Sequence, residues 1–321
     1  MSAPLRVTSA TLTPAAANGP SLAVYVPDRA PSELRASESG LRKIKIAATA
    51  RCMANVALWE LKSFFLRPMT YALLLSLTVV STWSFSWLVT LLARGSAPAM
   101  RGDEDPVFQF IGPNLFLVGT GTLLIPLLTM SLVAEERRRG TWETLLTSAA
   151  NPLGVVGGKF LAGWCKWLVC LTPWAVLSVV LRLWSGEVRQ VAGFVPWFAG
   201  QGLNFDVGPV AGGLLGLAML GMTFVALGLL CSSVCRQTAS AAALSFAAML
   251  GVLFLSVLPK LLGFWNCPSE WLRWAASVSC WGQLEQFSQG AVSPRIIVGH
   301  FSVCVLLLWG TTLTARSRDA S

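Results

Sequence analysis

Charge is scarce in this chain. Only 12% of its 321 residues are Asp, Glu, Lys or Arg, against roughly 25% in an ordinary soluble domain, which excludes a soluble globular class. Histidine occurs once and tyrosine twice. A single histidine leaves little for a Ser–His nucleophile, and no Gly-x-Ser-Gly turn is present to carry one. Cys231 and Cys235 stand four apart without further ligands, which does not make a zinc site. The first fifty residues contain no apolar core of the kind a signal peptide needs. A complete phosphate-binding loop is also missing. The nearest approach ends at Gly158-Lys159, but Leu153 stands where the first glycine belongs and Phe160 where Ser or Thr is required. These absences argue against an enzyme and against a nucleotide site on this chain.

What the chain has is apolar length, with 54% of its residues hydrophobic. Six runs are long enough to cross a hydrocarbon core, which takes about 20 residues of helix: Thr70 to Leu92, Gly112 to Val133, Phe160 to Leu181, Val210 to Leu230, Ala239 to Leu262 and Ile296 to Thr314. The expected fold is an all-α membrane protein. Ser, Ala and Pro dominate residues 1–50, which read as a disordered cytoplasmic tail, and residues 51–321 form the membrane domain. Between them, Arg51 to Pro68 has Met53, Ala57, Leu61, Phe64 and Phe65 at helical spacing, the pattern of an interfacial helix ended by Pro68 or of a plain N-terminal extension of the first run.

The Lys and Arg residues set the orientation. With the N-terminus inside, most of the 24 fall on the cytoplasmic side, so both termini are expected there. The net charge of +9 is then explained by loops, not by nucleic acid. Arg42-Lys43-Ile44-Lys45 reads as part of that topology signal or as a contact to anionic headgroups. No acidic residue falls inside the six runs, which weighs against an ion-coupled carrier. Lys166 lies well inside the third run and reads as snorkelling or bundle-facing, whereas Lys260 stands at the outer end of the fifth; His300 reads as a hydrogen-bonded structural residue. Gly212-x-x-x-Gly216 permits close helix packing. Trp184, Trp197, Trp265, Trp271, Trp274 and Trp281 fall near the outer face as an aromatic belt or a contacting surface. Cys267 and Cys280 share the third outer loop, where a disulfide or two thiols are both open.

The densest charge lies between runs two and three, in "AEERRRGTWETLLTSAANPLGVVGGKFLAG", Ala134 to Gly163. Glu135 and Glu136 end the second run and Gly140 breaks its helix. Thr141 suits an N-cap, with Glu143 in the first turn of a short helix from Trp142 to about Ala150. That helix presents Trp142, Leu145 and Leu146 together, and apolar groups ringed by charge suggest a docking partner. Asn151-Pro152 reads as the cap and first residue of the next helix.

The stretch resembles the cytoplasmic signature of type-2 ABC exporter permeases, especially a gliding-motility-like branch. "ALGLLCSSVCRQTASAAALSF", Ala226 to Phe246, and "QFSQGAVSPRIIVGHFSV", Gln286 to Val303, are similar to two further family segments. The resemblance implies a permease subunit that pairs with a second copy or a paralogue and with ABC ATPase subunits in the cytoplasmic (inner) membrane. It also implies that ATP and Mg are bound by the partner and no cofactor by this chain. The matching coupling residues are Glu135, Glu136, Gly140, Thr141, Glu143, Leu145, Leu146, Thr147, Gly158 and Lys159. Ala149 departs from the pattern, standing where the family commonly has proline. A membrane scaffold driven by an ABC ATPase and an ion-coupled carrier are the alternative readings.

Overall fold

A computed structural model describes residues 31–93, 110, 115–138, 140, 152–180, 207–235, 237–264, 270 and 279–317, the side chains only in part near the segment ends. Packing divides the chain into Met1–Lys45 and Ile46–Ser321. The elements are α1 (Pro31–Leu66), α2 (Pro68–Ala93), α3 (Leu115–Arg138), α4 (Pro152–Cys170), α5 (Val207–Val234), α6 (Thr238–Phe264), α7 (Cys280–Ser288) and α8 (Pro294–Ser317). No strand occurs among the described residues.

Six helical stretches are long and apolar enough to cross a membrane: Pro68–Thr90, Leu117–Arg138, Leu153–Val180, Gly208–Val234, Thr238–Pro259 and Pro294–Thr314. Each contains most of one apolar run. Helix α1 departs from expectation by starting at Pro31, inside the segment read as a disordered tail. The prolines of the tail end at Pro31, and from there Ala, Leu, Glu, Arg and Lys predominate, all good helix formers. Proline itself suits the first helical position. The third crossing helix starts at Pro152, the residue read as its first position, and so carries the glycines ahead of the apolar run within the helix.

Helix α5 is central, packing against α3, α4, α6, α7 and α8, while α3 also meets α2, α4 and α6. Glycine makes two of these approaches possible. Trp164 and Trp167 on α4 donate their indole N–H to the carbonyls of Ala218 and Leu217, each at 3.1 Å. The Trp167 ring lies where a Cβ on Gly221 would be, so only glycine lets the indole rest on the α5 backbone. Gly212 and Gly216 likewise receive α7: a Cβ at Gly212 would overlap the Phe287 carbonyl, and one at Gly216 would stand 2.8 Å from the Phe287 Cβ. The Gly-x-x-x-Gly spacing thus seats a short helix of the same chain.

Polar side chains within the crossing helices mostly bond to their own backbone, as Thr122 does to Val118 and Ser245 to Ala241. Such back-bonding satisfies a hydroxyl where water is absent. His300 accords with its structural reading: Nδ1 lies 2.7 Å from the Thr223 hydroxyl, joining α8 to α5.

Candidate functional site

Four charged side chains from three helices meet at one end of the bundle. Lys159, on α4, has its ammonium 2.7 Å from Glu136 Oε1 on α3 and 3.0 Å from Glu60 Oε1 on α1. Lys166, two turns further along α4, lies 3.2 Å from Glu60 Oε2 and 5.6 Å from the centre of the Phe64 ring. The Lys159 side chain is 1% exposed and Lys166 6%. Unpaired, either charge would be costly to bury; paired and hydrogen-bonded, it is retained.

Glycine places α1 close enough to reach them. Gly154, Gly157 and Gly158 form one face of α4, and the nearest atoms to a Cβ there belong to α1. At Gly158 they are the Met53 carbonyl oxygen at 2.7 Å and the Val56 Cβ at 2.8 Å; at Gly157, the Met53 sulfur at 2.8 Å; at Gly154, the Thr49 carbonyl oxygen at 3.2 Å. The backbone of α1 therefore runs directly over α4. Thr49, Met53, Val56, Glu60 and Phe64 recur at about four-residue spacing, so Glu60 belongs to the stripe that faces α4. Leu58 and Trp59 remain exposed on the other side of α1.

The Gly158-Lys159 pair is thereby accounted for. Both residues lie within helix α4, not in a loop, and the lysine is held by two carboxylates. Lys166 is bundle-facing, as one of its two readings had it. No acidic residue falls inside the six apolar runs, but the second crossing helix extends past its run and so includes Glu136, and Glu60 reaches the third from α1. The apolar-run boundary drawn at Val133 excluded Glu136, although the helix continues to Arg138.

The end of α3 is fixed locally. Gly140 has φ +70°, the left-handed conformation that closes a helix, and its N–H donates to the Arg137 carbonyl at 3.1 Å. The Arg137 guanidinium donates to the Ser233 carbonyl on α5, and the Ala134 N–H donates to Ser232 Oγ at 3.1 Å. Glu135 pairs with Arg138 at 3.3 Å on the surface, a contact worth at most about 1 kcal/mol.

Of the expected coupling residues, the structure therefore brings Glu136, Gly158 and Lys159 together and puts Glu135 and Gly140 at the end of α3. Thr141, Trp142, Glu143, Leu145, Leu146 and Thr147 lie outside the described residues. Cys280 carries a free thiol, and Cys267 lies outside the described residues. So do Trp184, Trp197, Trp265, Trp271 and Trp274, and the side chains of Arg42, Lys43 and Lys45. Glu60 is the residue that sequence reasoning missed. Its signal was a carboxylate in an otherwise apolar helical stripe, matched by a lysine in an otherwise apolar run.

Burial raises the proton affinity of the Glu60 carboxyl, but the charges and hydrogen bonds of Lys159 and Lys166 outweigh it and hold the pKa below the ordinary glutamate value. A depressed carboxylate contributes stability that is fully present above its unfolded pKa, about 4.3, and is lost as pH falls through the folded value. Thermal unfolding of wild type and Glu60→Gln in detergent should therefore differ most near neutral pH and converge below about pH 4. A constant gap across that range would show that the carboxylate's charge is not what stabilises the site.

Residues 95–279 match the family described as ABC-2 family transporter protein. No curated protein matches the chain. The matched segment runs from before α3 to the start of α7 and includes both Glu136 and Lys159. The chain accordingly belongs to the ABC-2 transporter family, as a multi-pass membrane protein and a permease subunit of an ABC transporter.

Proposed function

We propose that this permease is driven by a separate ABC ATPase that docks on the segment between α3 and α4, and that it works in the exporting direction. The observation that carries the reading is the position of Lys159. Its bridge to Glu136 ties the helix entering that segment to the helix leaving it, and its bridge to Glu60 ties both to α1. A push on Trp142 to Ala150 would consequently reach α3, α4 and α1 together, not one loop. The docking groups are Trp142, Leu145 and Leu146, with Thr141 as cap, Glu143 in the first turn and Thr147 beyond; Glu135, Gly140 and Gly158 frame them. ATP and Mg belong to the partner, and no cofactor belongs to this chain. A second permease copy or a paralogue completes the transport path in the cytoplasmic membrane, with both termini inside. The gliding-motility-like branch rests on the motif alone.

The test is affinity purification of the tagged full-length chain from its own membranes in mild detergent. An ATP-binding subunit in near-equal amount, lost when Leu145 and Leu146 are both changed to Asp while membrane insertion is unchanged, is the expected result. A chain that purifies alone, or a partner that survives the change, would overturn the docking assignment.

A further inference from the structure

At the end of the bundle away from Lys159, a cavity of about 350 Å³ opens between α6 and α7. Ser256 and Pro259 contribute from α6, and Trp281, Glu285, Gln286 and Gln289 from α7 and the turn after it. Its two serines serve the framework. Ser279 donates to the Ser256 carbonyl at 2.8 Å and accepts from the Gly282 N–H at 3.2 Å, while the Ser256 hydroxyl donates to Val252 and accepts from the Cys280 N–H. Those bonds fasten the start of α7 to α6. They leave Glu285, Gln286 and Gln289 as the polar groups that face the space. Among the described residues no lysine or arginine pairs with the Glu285 carboxylate, in contrast to Glu60, Glu135 and Glu136. The floor beneath is closely packed, with α7 seated on Gly212 and Gly216 through Phe287.

We propose that this cavity is a binding site for an organic ammonium ion. A half-buried carboxylate without a cation, bordered by an indole, recognises an amine through a charge-assisted hydrogen bond and a cation–π contact. Two primary amides supply further hydrogen bonds for orientation. The volume is in the range of small-molecule sites, about 300–1,000 Å³, and is far larger than a bare metal ion needs. An amine reaching this end of the bundle could be a soluble molecule or the headgroup of an aminophospholipid, and the chemistry is shared.

The test is calorimetric titration of the purified full-length chain, with whatever subunits accompany it, using phenethylammonium and its uncharged isostere phenethyl alcohol. Saturable one-site binding is expected for the ammonium, about ten-fold or more weaker for the alcohol and for Glu285→Gln, with Trp281→Phe weakened less than Trp281→Ala. No binding of the ammonium by the wild type, equal affinity for the two probes, or undiminished binding by a folded Glu285→Gln would overturn the site. The wild-type comparison of the two probes needs no variant to fold. Repeating the titration in nanodiscs of phosphatidylethanolamine and of phosphatidylglycerol identifies the source. Weakening confined to the former assigns the headgroup, and equal affinity in both assigns a soluble amine; each sustains the ammonium site.

Discussion

Lys159→Ala is expected to destabilise the folded permease by about 3–5 kcal/mol, the usual consequence of removing one partner from a buried ion pair. The cost arises from what stays behind. Glu136 and Glu60 lose the ammonium that lies 2.7 and 3.0 Å from their oxygens, in a site where the lysine side chain is 1% exposed. Glu60 retains Lys166 at 3.2 Å. If charge is the cause, Lys159→Met with Glu136→Gln should recover to within about 1 kcal/mol of wild type, since a buried pair replaced by neutral groups of similar volume is often neutral. Thermal unfolding of the purified protein in detergent, read as a double-mutant cycle, measures both. A double variant no better than Lys159→Ala would place the effect in packing instead.

The second large effect is expected at Gly158. A valine there puts Cβ 2.7 Å from the Met53 carbonyl oxygen and 2.8 Å from the Val56 Cβ. The first is backbone of an α-helix and cannot swing aside as a flexible side chain could. Overpacking of this kind costs about 1–3 kcal/mol, and relief by moving α1 outward would also draw Glu60 away from Lys159 and Lys166. Gly158→Val should therefore lower hydrogen-exchange protection over residues 46–66 by about ten-fold or more, with α5 much less affected. Gly119→Val serves as the comparison, because among the described residues nothing outside its own stretch of helix lies within 4 Å of a Cβ at that position. Equal loss of protection along α1 in both variants would mean that α1 does not depend on the glycine face of α4.

The crossing helices were legible because a continuous apolar run of sufficient length has few other uses. Their junctions were less so. Glycine at 154, 157 and 158 falls inside the helix expected from Pro152, but a single helix does not reveal what its bare face receives; its use here is to remove side chains so that another backbone can approach. The charges misled in a similar way. Lys166 is anomalous within an apolar run, and Glu60 is anomalous within the apolar stripe of α1, but periodicity treats each helix separately. Only the docking of α1 on α4 makes the two anomalies complementary. His300 was easier, since a single imidazole among apolar residues needs only one hydroxyl neighbour, and Thr223 supplies it.

The buried set of Glu60, Glu136, Lys159 and Lys166 contains two negative and two positive groups. Fully ionised, it sums to zero, so the electrical potential across the bilayer does no net work when the set is displaced as a unit. One uncompensated charge moved fully across would instead cost or gain about 2.3 kcal/mol per 100 mV. Helices α1, α3 and α4 can therefore shift together at this point without adding a gating charge, leaving the energised state of the membrane neither to assist nor to resist that step.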